Sequence, residues 1–209
     1  MPPDVNPPAR AARVLRNDER IIEAARQVLG ADPRASMADI GAYAGVGMSA
    51  LYRRYPSKHA LVATLVAGTL TAYRSELTRA TQRLGAGEAG WDVYGDFLRA
   101  LVDANAHFIS PGTPEVADLL AHDEATWHEI TEQNHALFNT VHQTGVYRAG
   151  VGFIDIGLLL GAVSAVRGAT PQRSLQLRRR TLAIVLDGLR AGLPPLTGDA
   201  PTPADYRAP

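Results

Sequence analysis

Two short helical patterns separated by a glycine-bearing turn lie near the N-terminus of the chain, within residues 36–58. Ser36 and Asp39 have the spacing of a capping box, which predicts the start of the first helix. Residues 45–47 read Gly-Val-Gly and predict a tight turn, because glycine accepts backbone conformations that other residues avoid. Residues 48–55 form the second helical pattern. Two short helices joined in this way have the layout of a helix-turn-helix, whose second helix enters the major groove of DNA.

The rest of the chain also has a helical period, and it has almost no strand pattern. Asn17 is predicted to cap the first helix, and acidic residues follow it in the first turn. The predicted helices span about 17–30, 36–44, 48–55, 58–84, 91–108, 115–122, 123–142, 153–168 and 174–191. The sequence therefore predicts an all-α protein, with an N-terminal three-helix domain followed by a larger helical domain.

Composition shifts divide the 209 residues into four segments. We predict a flexible basic arm over 1–15, a helix-turn-helix domain over 16–63, a helical domain over 64–193 and a disordered Pro-rich tail over 194–209. Residues 1–63 carry nine basic and six acidic residues, and the remainder carries twelve and fifteen, so the net charges of +3 and −3 cancel. A basic first module joined to an acidic second module favours binding of the first to nucleic acid.

The chain contains no cysteine, which excludes disulfide bonds, thiol catalysis and zinc–thiolate sites. No signal-peptide core is visible at the N-terminus, and the most apolar run, residues 154–166, is too short to span a bilayer. We therefore expect a cytoplasmic protein without a membrane partner.

Residues 37–61 read Met-Ala-Asp-Ile-Gly-Ala-Tyr-Ala-Gly-Val-Gly-Met-Ser-Ala-Leu-Tyr-Arg-Arg-Tyr-Pro-Ser-Lys-His-Ala-Leu. This stretch resembles the TetR family of one-component repressors, in which an Ala-Gly-Val-Ser turn precedes Leu-Tyr-x-His-Phe-x-x-Lys-x-x-Leu. Gly47 stands where the family often has a capping Ser or Thr, and Arg54 and Tyr55 replace the commoner His and Phe. The resemblance implies a dimer, a double-stranded DNA operator, and a C-terminal domain that binds a small-molecule effector.

Under this interpretation, eight residues are predicted to contact DNA: Ser36, Met48, Ser49, Ala50, Tyr52, Arg53, Arg54 and Lys58. Tyr52 and Lys58 are suited to phosphate oxygens, and the backbone amides after Ser36 could bind phosphate at a helix N-terminus. Arg53 is the strongest candidate for a bidentate contact with guanine. Leu51 and Tyr55 are interpreted as core residues.

Aromatic and histidine side chains concentrate in the second module, where they predict a mixed apolar and polar ligand pocket. The predicted lining consists of Trp91, Phe97, His107, Phe108, Trp127, His128, His135 and Phe138. His128, Glu132 and His135 share one helix face, which also fits a divalent metal. We favour pocket lining over metal binding, because no second ligand cluster is visible, and we predict no metal, no cofactor and no catalytic residue.

Small residues recur every four positions at Gly157, Gly161 and Ala165, and allow another helix to approach closely. An apolar stripe on the last helix comprises Leu175, Leu182, Val185 or Leu186, and Leu189. Together they predict a two-fold dimer interface, whereas the arginine run 178–180 is interpreted as a solvated face.

The predicted function is a dimeric, ligand-responsive transcriptional repressor that releases its operator when a small molecule binds. Two alternatives remain open: a helical metal-dependent enzyme using the His/Glu cluster at 122–142, and a DNA-binding protein whose second module only dimerises.

Overall fold

The computed structural model describes residues 7–32, 34–104, 116, 118, 119 and 123–202. Eight α-helices and no β-strand lie within these residues, which confirms the all-α prediction. The helices are α1 (Pro7–Ala31), α2 (Met37–Ala44), α3 (Met48–Arg54), α4 (Lys58–Gly85), α5 (Gly90–Asp103), α6 (Glu124–His142), α7 (Phe153–Ala165) and α8 (Pro171–Leu189). The chain forms two compact units, Met1–Leu65 and Val66–Pro209, close to the predicted boundary after residue 63.

Helix α1 begins at Pro7, ten residues before the predicted N-cap at Asn17. The prediction of the helix start was wrong, because proline is well tolerated in the first turn and the Ala/Arg-rich stretch that follows favours helix. Asn17 therefore lies inside the helix. The part of the predicted N-terminal arm from Pro7 onward has helical backbone.

A small aliphatic core holds the first unit together. Each fully buried Leu or Ile side chain in it contributes about 1.5–3 kcal/mol. Helix α1 supplies small as well as large residues, so α2 packs closely against it. The buried residues include Ile21, Ala25, Leu29, Ile40, Leu51 and Leu61.

The second unit contains helices α5 to α8, with α5 packed against both α6 and α8. The predicted inward face of α5 is confirmed, because Val93, Phe97 and Leu101 are all buried. They share a core with Leu137 and Val141 of α6. The short helix predicted over 115–122 lies largely outside the described residues.

The segment after α8 follows the loop between α6 and α7. The amide of Arg148 donates to Leu189 O at 2.8 Å, and the amide of Leu196 donates to Ala149 O at 3.0 Å. The side chain of Arg148 also donates to Pro194 O, at 2.5 Å. The first residues of the predicted tail therefore have specific backbone partners. None of the described helices is long and apolar enough to cross a membrane.

Candidate functional site

The start of α2 is fixed by a reciprocal cap between Ser36 and Asp39. The amide of Asp39 donates to Ser36 Oγ at 3.2 Å, and the amide of Ser36 donates to Asp39 Oδ2 at 2.7 Å. Donation by the Ser36 hydroxyl, and then by its amide, holds the pKa of the Asp39 carboxyl below its ordinary value. The predicted capping box is confirmed, while phosphate binding at Ser36 remains a prediction.

Two glycines create the tight turn between α2 and α3. Gly45 has φ of 64°, in the left-handed region that favours glycine. A Cβ at Gly45 would lie 2.9 Å from Nη2 of Arg20, which donates to Ala44 O at 2.5 Å. A Cβ at Gly41 would lie 3.1 Å from Met48 Sδ. Position 45 therefore favours glycine because of its left-handed backbone, whereas Gly41 of α2 packs closely against the Met48 side chain. Arg20 of α1 binds the carbonyl at the end of α2.

Helix α3 presents one buried side chain and an exposed opposite face. Leu51 is fully buried, as predicted, and is the anchor of the helix. Residues four apart lie on one face of an α-helix, so Ser49 and Arg53 project together on the side away from Leu51. The exposed residues of α3 are Met48, Ser49, Tyr52, Arg53 and Arg54, and Ala50 is half-buried. The predicted base-reading residues Ser49 and Arg53 are therefore accessible on a single surface.

Arg54 differs from the other exposed residues of α3 because α1 already binds it. Its Nε lies 2.7 Å from both carboxylate oxygens of Asp18, and its Nη2 lies 2.5 Å from Oδ2. The hydrogen bond to Asp18, and then the charge of Asp18, raise the pKa of the Arg54 guanidinium. Tyr55 is buried beneath the pair, which confirms its predicted core role. Its ring centroid lies 5.3 Å from Arg54 Cζ.

Two further residues complete the candidate DNA surface. Lys58 is the first residue of α4 and is half-buried, next to Ser57, whose Oγ accepts from the amide of Ala60 at 3.1 Å. Tyr43 near the end of α2 is 53% exposed, and the sequence interpretation missed it. The sequence could have indicated its exposure, because Ile40 and Ala44 mark the inward face of α2 and Tyr43 falls outside that face.

In the second unit, rings from several elements form an aromatic cluster, defined here as Trp91, Tyr94, Phe97, Phe138, Tyr147 and Phe153. Phe138 is its centre, with ring centroids 5.1 Å from Tyr147, 5.6 Å from Phe153 and 6.2 Å from Tyr94. Trp91 packs edge-on against Tyr147 at 5.5 Å, and Phe97 lies 5.8 Å from Tyr94. Such tilted and edge-on pairs are the arrangements that aromatic rings prefer.

Three polar atoms near these rings are buried without a regular hydrogen bond to any described residue: Tyr94 Oη, Tyr147 Oη and Asn134 Oδ1. Burial raises the pKa of both tyrosines, and the two hydroxyls also interact electrostatically with each other. The amide nitrogen of Asn134 donates to Tyr73 Oη at 2.8 Å, which leaves only the amide oxygen unsatisfied. Buried polar groups are normally paired, so these three atoms are the polar positions of a mainly apolar region.

Residues 21–65 match the family model for bacterial regulatory proteins of the tetR family. The chain thus contains a segment that resembles the tetR family of bacterial regulatory proteins. Its fold is also that of LfrR from Mycobacterium smegmatis, solved in complex with proflavine, with a TM-score of 0.54, 21% identity, and coverage of 88% of this chain and 99% of that one. The ketosteroid transcriptional regulator KstR2 of Mycobacterium tuberculosis gives a TM-score of 0.59 at 18% identity, covering 84% and 95%. No curated protein matches the chain.

TetR-family regulators are DNA-binding transcriptional regulators. The helix-turn-helix that the sequence predicts is the part of the chain that the family model covers. Helices α2 and α3 lie within the matched residues, and the exposed residues of α3 are candidate DNA contacts.

The structure brings together only some of the predicted pocket residues. Trp91, Phe97 and Phe138 belong to the aromatic cluster, and the ring of His135 lies 4.8 Å from Phe153. His128 is exposed and Trp127 is half-buried. His107 and Phe108 lie outside the described residues. Sequence reasoning missed Tyr94, Tyr147 and Phe153, although Tyr94 stands one turn before Phe97 on the same helix.

The His/Glu run of α6 does not form a metal site in the described part of the chain. His128, Glu132 and His135 are all exposed. No group of three or more His, Asp or Glu side chains is placed to hold a metal ion within residues 7–32, 34–104 and 123–202.

The apolar stripe predicted on α8 is mostly used within the chain. Leu182, Leu186 and Leu189 are buried in the core of the second unit. Ile184 instead is 65% exposed, and the sequence interpretation did not single it out. On α7, Leu158 and Gly161 are exposed, and a Cβ added at Gly161 would meet no atom within 4 Å. These two helices thus leave apolar side chains and a small-residue stripe on the surface.

The arginine run on α8 is not a uniformly solvated face, as had been expected. Arg178 is only 7% exposed, and its Nε donates to Val166 O at 3.1 Å just beyond the end of α7. Burial, followed by the charge of Arg167, lowers its pKa. Arg179 makes a bidentate pair with Asp103 of α5, at 2.7 and 3.0 Å. Two of the three arginines are therefore structural contacts, because the carbonyls and carboxylates nearby offer them partners.

Proposed function

We propose that this regulator is a homodimeric repressor that reads a pseudo-palindromic operator and releases it when a small molecule binds the second unit. The observation that carries the proposal is the exposed face of α3. Ser49 and Arg53 project from it on the side opposite the buried anchor Leu51, and glycine-dependent packing fixes the helix against α2.

The contacts divide into two kinds. Tyr52 and Lys58 flank the base-reading face, and their hydroxyl and ammonium groups suit phosphate oxygens. Arg53 offers a planar fork that matches the two acceptors of guanine. In a dimer, two such helices meet successive major grooves about 34 Å apart, which requires an operator with two inverted half-sites.

Selection from a random duplex library tests sequence reading. We expect enrichment of an inverted repeat. Arg53→Ala should relax preference at one position of each half-site at a cost of about 1–3 kcal/mol, while Tyr52→Phe should weaken binding to all sequences alike. Recovery of no enriched site with the unmutated protein would overturn the proposal.

The dimer is supported by the surfaces of α7 and α8. Ile184 and Leu158 are large apolar side chains left on the surface, and Gly161 beside Leu158 leaves room for a neighbouring helix. An isologous pairing would cover both helices in each subunit at once. Sedimentation at micromolar concentration should give a dimer.

The effector is proposed to be a largely apolar or aromatic molecule bound at the aromatic cluster. The rings supply a lining that stacks with a flat ligand, and the unsatisfied oxygens of Tyr94, Tyr147 and Asn134 supply a few orienting hydrogen bonds. The related fold of LfrR is solved with proflavine, which makes proflavine a suitable first probe.

Linkage supplies the test of ligand response. A ligand that favours the released arrangement must raise thermal stability and lower operator affinity together. We expect planar aromatic compounds, proflavine first, to do both in the same concentration range, and Tyr94→Phe to weaken both effects in parallel. A compound that stabilises the protein through this site but leaves operator binding unchanged would contradict the release mechanism and favour a second unit that only dimerises. We also propose that the protein is located in the cytoplasm, where it would meet its DNA operator.

A further inference from the structure

Arg54 is the last residue of the recognition helix, and its guanidinium is held within the protein. Asp18 of α1 accepts from both Nε and Nη2 of Arg54, at 2.5–2.7 Å. The hydroxyl of Tyr55 approaches the same carboxylate at 3.4 Å. The Asp18 side chain is 19% exposed and the Arg54 side chain 55%, so the pair lies at the protein surface with the carboxylate on its inner side.

Position on the helix separates Arg54 from the base-reading face. Arg54 follows the buried Leu51 by three residues, so it lies on the flank that turns towards α1. Arg53, its neighbour in sequence, projects on the side of the helix away from Leu51. Two adjacent arginines therefore have different surroundings, and of the two only Arg54 is paired with a carboxylate among the residues that the structure describes.

We propose that Asp18 is a specificity-determining residue that withholds Arg54 from sequence-independent contact with phosphate. A free arginine beside the groove would bind the backbone of any duplex, because phosphate contacts carry no sequence information. The ion pair cancels that charge. Asp18 thus limits the affinity for random DNA and leaves discrimination to the side chains of the exposed face. The inference rests on the sequence-specific DNA binding proposed above.

Measurement of affinity for a random-sequence duplex as a function of salt, with the full chain, tests the inference. Asp18→Asn keeps the size of the side chain but removes its charge, which frees Arg54 to reach a phosphate. Each new phosphate contact steepens the dependence of log K on log salt by about 0.9. If the variant and the unmutated protein bind random DNA equally at 1 M salt, the steeper slope makes the variant bind about eightfold more tightly at 0.1 M salt.

In Asp18→Asn, the affinity for the operator should rise less than the affinity for a random-sequence duplex. Base contacts fix the register of the operator complex, whereas a random duplex can shift until a phosphate meets the freed arginine. The ratio of operator to random affinity is therefore expected to fall. In the double variant Asp18→Asn with Arg54→Gln, the steepened salt slope should return to that of the unmutated protein, since no freed arginine remains.

Glu19→Gln is the matched control, because Glu19 is the adjacent residue of α1, is exposed, and loses the same charge. It should leave the salt slope within error. A purely structural role for Asp18 predicts a different result: a lower unfolding temperature and weaker binding to both duplexes, with no steeper slope. That result, or an equal gain in Glu19→Gln, would overturn the inference. Failure of the unmutated protein to select any site would instead count against the proposed function.

Discussion

The two units of the chain differ in where most of their aromatic side chains lie. In the unit that ends at Leu65, the core is mostly aliphatic with Tyr55 as its buried ring, and Tyr43 and Tyr52 stand on the surface, 53% and 47% exposed. In the unit that begins at Val66, Tyr94 and Phe138 are buried. Surface tyrosines present hydroxyls to a polar partner, whereas buried rings line a region that suits an apolar one. The contrast supports the proposed DNA contact of the first unit and the proposed ligand contact of the second.

The bonds that fix each region also differ in range. The helix-turn-helix is set by neighbouring residues, such as the cap between Ser36 and Asp39 and the left-handed Gly45. The second unit depends on contacts between residues far apart in the chain, such as the pair between Arg179 and Asp103. Local devices can be read from one sequence, and long-range contacts cannot.

The largest expected effect is the loss of the ring at the centre of the aromatic cluster. Phe138→Ala leaves a cavity among Tyr94, Tyr147 and Phe153, and such truncations cost about 3–5 kcal/mol. Chemical denaturation should show this loss in the transition of the second unit. If the two units differ as described, the protein that remains folded should keep the operator affinity of the unmutated protein, because α3 lies in the first unit.

Phe138→Leu is the matched control, since it keeps an apolar side chain and part of the volume. It should lose clearly less stability than Phe138→Ala while removing the same ring contacts. Equal losses in the two variants would show that the rings, rather than filled space, stabilise this region.

The second effect tests the surface of α7 and α8. Ile184→Arg places a charge where a dimer would bury an apolar side chain, and disruption of a central interface residue costs about 2 kcal/mol or more. The dimer dissociation constant should rise at least about thirtyfold. Leu193→Arg is the control, because Leu193 is also exposed and apolar but lies beyond α8. A similar loss of dimer in both variants would argue against α8 as the interface.

Sequence reasoning succeeded where a short motif determines a structure. The cap at Ser36, the Gly-bearing turn and the buried Leu51 all follow from residues within 16 positions of one another. It failed at Asn17, where helix propensity upstream outweighed a capping residue, and at Arg178, whose partner is the backbone of residue 166. A single sequence does not report which distant groups will surround a side chain.

The candidate sites divide in the same way. The contacts on α3 were predicted from the resemblance of the helix-turn-helix stretch and from the chemistry of its side chains. The aromatic cluster was predicted only in part, because Tyr147 lies in a loop and Phe153 opens α7, so neither belongs to a periodic pattern with Phe138. The folded loop between α6 and α7 is what brings these rings together.

A smaller effect is expected at the turn. Gly45→Ala forces a side chain into the left-handed conformation at a cost of about 1–2 kcal/mol, and its Cβ meets Arg20 Nη2 at 2.9 Å. The unfolding temperature of the first unit and the affinity for the operator should both fall. Gly47→Ser is the control, because Gly47 has φ of −68° and open space around its Cβ, and a serine there can cap α3. A loss at Gly47 as large as that at Gly45 would reject this account of the turn.

The smallest effect concerns the charge that caps α2. The folded-state pKa of Asp39 is held below its ordinary 3.8, because the hydroxyl and amide of Ser36 donate to the carboxylate. Its contribution to stability is therefore fully present above pH 3.8 and is lost as the pH falls through the lower, folded-state value. A titration of the Asp39 side-chain carbon by NMR should give a midpoint below 3.8, and Ser36→Ala should move it upward. Asp32→Asn, in the loop that precedes α2, is the control and should leave the Asp39 midpoint unchanged. If the Asp39 midpoint stays in place in Ser36→Ala, the cap does not stabilise the charge, and the local bonds of the first unit matter less than its aliphatic core.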